Sequence, residues 1–150
     1  MKKGLFLLLF LGSIFTTFAQ QIDYNTSGGY IADGYDVVSY FNKKAEKGSK
    51  KYQTTHDGVK YKFASQAHLD TFKKDPDKYV PQYGGWCAYA LGAMNKKVDI
   101  NPKTYEIRDG KLYLFYNAWG TNTYEKWIKE GQEKLKAQAD KNWEAKKYKK

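Results

Sequence analysis

The chain has 150 residues, 41% of them hydrophobic and 17% aromatic, which is enough apolar surface for one compact domain and argues against a chain that stays unfolded. That length leaves no room for a second catalytic domain. The formal net charge of +10 would raise nucleic acid as a partner in a cytosolic protein, but the N-terminus argues for export and removes that reading.

Lys2 and Lys3 precede a nearly unbroken apolar run from Leu5 to Phe15, and Thr17-Phe18-Ala19 supplies small residues on either side of an aromatic before Gln20. This is the pattern of a secretory signal over residues 1–19, cleaved after Ala19. A spanning helix needs about 20 apolar residues, so the run is too short to be one. No cysteine lies near the cleavage point to carry a lipid anchor. The expectation is an exported protein of the periplasm or extracellular space, not integral to the membrane after cleavage and with no nucleic-acid partner. Loss of Lys2 and Lys3 lowers the charge from +10 to +8. The Lys-rich stretch from Thr121 to Lys150 then reads as the solvated face of a helix.

Residues 20–30 are polar and Gly-containing and read as a flexible leader to a domain over residues 31–150. Val37-Val38-Ser39-Tyr40-Phe41 is β-prone and predicts a strand after the turn residues Asp33-Gly34. Asp57-Gly58 separates Tyr52–His56 from Val59–Phe63, in which Val59, Tyr61 and Phe63 alternate with Lys60 and Lys62 at the strand period of two. Asp-Gly supplies the positive φ angles of a tight hairpin turn. Asp109-Gly110 predicts a second hairpin between Thr104–Arg108 and Lys111–Phe115.

Ser65 caps a predicted helix from Gln66 to about Lys74, which Asp75-Pro76 stops. A second helical region begins near Asn122, with Glu125 completing a capping box. Its apolar stripe is Tyr124, Ile128, Leu135, Ala139 and Trp143, and Gly131 marks a kink or break. The fold class is therefore α+β: a small antiparallel sheet of hairpins packed against a short helix and a C-terminal helical region.

Between the hairpins, Tyr79 to Ala90 gathers aromatic side chains and Cys87 around Gly84-Gly85, a pair that permits close backbone approach. Cys87 is the only cysteine, so an internal disulfide is excluded and the thiol is either buried, a ligand or reactive. With His68 and Met94 it makes the candidate soft-metal set, whose thiolate, imidazole and thioether donors suit a copper or zinc ion. His56, beside the first Asp-Gly turn, is expected at the surface. The donors of a blue-copper centre are all present by type but scattered along the chain. Noncovalent haem on Cys87 or His68 is a further option, without a Cys-x-x-Cys-His attachment motif.

Hydrolase, phosphate-loop and His-Glu-x-x-His motifs are absent, which argues against an enzyme. A Cys87–His68 nucleophile pair is the one catalytic alternative. Exposed aromatic faces that stack on sugars are another binding alternative.

Tyr61-Lys62-Phe63-Ala64-Ser65-Gln66-Ala67-His68, followed by Phe72, Asp75-Pro76 and Tyr79, resembles the YHS domain. The segments Gly34 to Phe41 and Tyr83 to Ala90 look like those of its longer exported branch, so that residues 31–150 read as a YHS-like domain with a C-terminal helical extension. The resemblance implies metal handling, because short YHS modules attached to heavy-metal transporting ATPases carry a Cys in the first strand and a Cys-Ser-x-x-Cys pattern before the helix. Ser39, Ala64 and His68 stand at those three positions here. The resulting expectation is a small exported binding module for a soft metal ion, with a structural or partner-binding envelope protein as the alternative.

Overall fold

A computed structural model describes residues 20–150; the expected signal over residues 1–19 lies outside them. The architecture is α+β. Strands β1 (Thr26–Ser27), β2 (Tyr30–Ile31), β3 (Ser49–His56) and β4 (Val59–Phe63) form one sheet in the order β1-β2-β4-β3. Asp57 and Gly58 turn the β3–β4 hairpin at φ 49° and 75°, pairing His56 with Val59. Val59, Tyr61 and Phe63 are buried and Lys60 is exposed, as the alternation requires.

Helix α1 (Gln66–Lys74) begins where Ser65 accepts the N–H of His68 at 3.2 Å and buries Leu69 and Phe72. Phe72 lies 5.1 Å from Phe63 and 4.6 Å from Tyr61, ring to ring, which joins helix to sheet through aromatic packing. A single turn, α2 (Pro76–Tyr79), follows at once, because Pro is accepted at the first position of a helix.

Two expectations about the first sheet are corrected. It is not purely antiparallel, since β2 pairs with β4 in parallel, Tyr30 opposite Lys60. Nor does it contain both hairpins: β5 (Asn101–Arg108) and β6 (Lys111–Phe115) make a separate pair. Leu112 to Phe115 are all buried, so β6 lies in the core against α2, the Gln82–Gly85 turn and α3 (Ala88–Met94), instead of extending the first sheet.

Val37–Phe41 is not a strand either. Ser39–Asn42 is a turn of 3-10 helix, because the Asp36 carboxylate accepts the N–H groups of Val38 and Ser39 and coils the chain, overriding the preference of two valines for extended backbone.

The expected flexible leader at residues 20–30 is tied down. Asn25 N–H bonds Gly84 O, Trp86 Nε1–H bonds Asp23 O, and the segment meets the other end of the chain: Asp23 N–H to Lys147 O at 2.6 Å, Lys149 N–H to Gln21 O at 2.9 Å.

A two-residue hairpin, β7 (Asn117–Ala118) and β8 (Thr121–Asn122), leads into α4 (Thr123–Glu130), and α5 (Gln132–Lys146) follows. Asn122 caps α4 by accepting the N–H of Tyr124. Gly131, at φ 104°, breaks the region in two. The expected single stripe therefore fails at Ile128, which is 51% exposed; Trp127 is the buried apolar residue of α4, while Leu135 and Ala139 are those of α5. Helix α5 packs on α3 at Gly92, where a Cβ would stand 2.5 Å from Leu135 O. At Gly84, φ 60°, a Cβ would lie 2.8 Å from the Trp143 ring.

Candidate functional site

Asp36 is fully buried and is the hub of the first half of the domain. Its Oδ1 accepts N–H bonds from Val38 at 2.9 Å and Ser39 at 3.2 Å; its Oδ2 accepts the N–H of Ala64 at 2.8 Å and faces His68 Nδ1 at 2.6 Å. With three backbone donors already on the carboxylate, the proton of the fourth contact belongs on His68 Nδ1. The hub thus joins the N-terminal loop, the end of β4 and the first turn of α1. It holds the imidazole in one orientation, with the side chain 23% exposed. Ser39, also buried, reinforces it: its hydroxyl donates to Asp36 O, lies 2.9 Å from Lys44 O and accepts the N–H of Glu46.

Cys87 sits just before α3 and is 0% exposed. Its Sγ is 3.4 Å from Thr123 Oγ1 and accepts the N–H of Tyr116, also at 3.4 Å. Tyr116 and Thr123 flank β7 and β8, so the thiol links the end of β6 to the start of α4. Met94, the last residue of α3, is 51% exposed.

The three candidate ligands consequently occupy different settings. Cys87 is enclosed by Thr123 and Tyr116, His68 is engaged by Asp36, and the two share no hydrogen bond and no partner. Among the described residues, the one group of three His, Cys, Asp or Glu side chains with converging ligand atoms contains neither.

The β7–β8 hairpin, which the sequence motifs above do not mark, is the anomaly of the surface. Trp119 and Gly120 turn it at φ 53° and 73°, nearly the same pair of angles as Asp57-Gly58 and Asp109-Gly110. Where the two long hairpins use Asp and the β1–β2 turn uses Gly28, this one holds Trp in left-handed backbone, and the indole is 97% exposed. A left-handed residue costs about 1–2 kcal/mol, and Asn or Asp recovers part of that through local hydrogen bonding; Trp does not. Its base is firm: Asn101 Nδ2–H bonds Asn117 O, Asn117 Nδ2–H bonds Thr104 Oγ1, and Thr123 N–H bonds Tyr116 O. The signal that could have found it is a Trp-Gly pair between Asn117-Ala118 and Thr121-Asn122.

The family model of the YHS domain matches residues 37–83. That stretch is a YHS domain. No curated protein and no solved structure matches the chain. The YHS domain runs from the loop after Asp36 through β3, β4, α1 and α2 to Tyr83, and therefore contains Ser39, Ala64 and His68. Those three positions do converge, but on the Asp36 carboxylate, which is bonded by the backbone of Ser39 and Ala64 and by the ring of His68. With no thiolate there and the one imidazole already engaged, the soft-metal chemistry of cysteine-bearing YHS modules does not fit these residues. Cys87 and His68 have no hydrogen-bonding partner in common, and Met94 is 51% exposed at the end of α3. Among the described residues no helix is long and apolar enough to cross a membrane.

Proposed function

We propose that the chain is an exported, non-catalytic binding module whose YHS domain is a structural frame, and that it docks on a protein partner of the cell envelope through Trp119. The observation that carries this reading is the strained, almost fully exposed Trp at a position where Asp or Asn would serve the fold better. Trp is enriched among residues that dominate binding energy, since burying its large rigid surface loses little side-chain entropy. The positive charge of the chain favours an acidic rim around the pocket that receives the indole.

Two results test the docking half. Trp119→Asn converts the turn to Asn-Gly, the preferred hairpin pair, and should raise stability to urea unfolding by about 1 kcal/mol while abolishing partner binding. A photoreactive residue at position 119 should give a discrete protein adduct in cells, and one at Lys111 on the second hairpin should not. Destabilisation by Trp119→Asn, or equal labelling from both positions, would remove Trp119 as the anchor.

Export is supported by the pattern of Lys2, Lys3, Leu5 to Phe15 and Ala19. Mass spectrometry of the mature protein should find Gln20 at the N-terminus. Retention of Met1 would refute the signal.

A further inference from the structure

The turn of the first hairpin and the single helical turn α2 bring His56, Asp57 and Asp77 together, each offering one ligand atom within 4.8 Å of the others. His56 Nε2 lies 3.1 Å from Asp77 Oδ1 and 3.6 Å from Asp57 Oδ2. The imidazole is not a loose surface group: it stands edge-on to Phe72 at 5.9 Å and to Tyr61 at 6.4 Å, which fixes the ring while Nε2 faces the carboxylates. Asp57 takes the left-handed turn position of the hairpin and Asp77 follows Pro76 in α2, so the backbone places both residues beside His56.

Two features are unexplained by hydrogen bonding alone. One Nε2–H can satisfy one carboxylate, yet two converge on it, and among the described residues neither has a Lys or Arg ion pair in a chain with 26 Lys and Arg. Tyr61, whose ring lies 6.4 Å from that of His56, is only 1% exposed, and its hydroxyl is buried without a protein hydrogen-bond partner. An unpartnered buried polar group costs about 1–3 kcal/mol, so a partner at this spot would be favourable.

We propose that His56 Nε2 and the carboxylates of Asp57 and Asp77 form a binding site for a divalent transition cation of the zinc class, with the Tyr61 hydroxyl as an outer hydrogen-bonding group. Four-coordinate zinc with bonds of about 2.0–2.1 Å separates its ligand atoms by roughly 3.3 Å, close to the two spacings already present. Imidazole and carboxylate suit zinc without a thiolate, and three protein ligands leave one position open. The binding form of His56 is neutral, with its proton on Nδ1. The site uses none of Ser39, Ala64 and His68, and it is independent of docking through Trp119.

The test is calorimetric titration of zinc chloride into the whole chain after removal of bound metal by chelator. One zinc ion per chain is expected, with affinity reduced at least about tenfold by Asp77→Asn and by His56→Gln, and less by Tyr61→Phe. Asp77 is 88% exposed, so its variant tests the site without threatening the fold. Cobalt(II) in place of zinc should give visible bands without thiolate charge transfer. Failure to bind zinc, undiminished affinity in Asp77→Asn, or a thiolate band that moves the metal to Cys87 would each overturn the proposal.

Discussion

Replacing Asp36 by Ala is expected to cost on the order of 5 kcal/mol, a large share of the roughly 5–15 kcal/mol that holds a typical domain together. The substitution strands three backbone N–H groups at once, those of Val38, Ser39 and Ala64, and leaves His68 Nδ1 without its acceptor. Each buried orphan costs about 1–3 kcal/mol, and water can reach only part of the site. Asp36→Asn keeps one acceptor oxygen and should lose less than half as much. Urea unfolding of both variants measures the difference. A loss below about 1 kcal/mol for Asp36→Ala would show that the loop at Val37–Asn42 is held by something other than this carboxylate.

Phe63→Ala should cost about 3–5 kcal/mol, from lost burial and from a cavity that cannot collapse. Phe63 is fully buried in the last position of β4, against Phe72 of α1, and Phe72 in turn packs on Tyr61 and Tyr79. Shrinking one ring removes a contact from each of two elements whose backbones are fixed by the β3–β4 ladder and by the Ser65 cap. A loss under 1 kcal/mol by the same measurement would contradict the packing of α1 on the sheet.

Much of the fold is legible in the sequence where local chemistry decides it. Ser65 and Asp75-Pro76 bracket α1 because a capping hydroxyl and a missing N–H act on their immediate neighbours, and Asp-Gly marks both long hairpins for the same reason. Gly131 could be seen as a breaker, but a stripe drawn across it assigned burial to Ile128, since a broken helix restarts its phase and Trp127 took the inner place. Val37–Phe41 misled because the deciding group, the Asp36 carboxylate, acts through bonds that β propensity does not count.

The candidate site was harder to read, because its chemistry is made by contacts distant in sequence. His68 and Asp36 are 32 positions apart, and Cys87 meets Tyr116 and Thr123 at separations of 29 and 36. Residue types alone placed Cys87, His68 and Met94 in one set; distance along the chain says nothing about which of them ends in the core. Trp119 was legible in principle. A residue that opposes the turn it occupies can be recognised from the neighbouring hairpins that obey the rule.

The pairing of the two ends of the described chain governs when this molecule can finish folding. Gln21 and Lys149, joined through their side chains as well as by backbone, are 128 positions apart. A chain delivered end first, from a ribosome or through a translocation channel, presents its opening segment long before the residues that seat it. The Asp36 hub and the first sheet are complete once the chain has reached His68, whereas Gln21 and Asp23 must wait until Lys147 and Lys149 have emerged. The closing seam is therefore the last of these contacts that a chain delivered from its N-terminus can make.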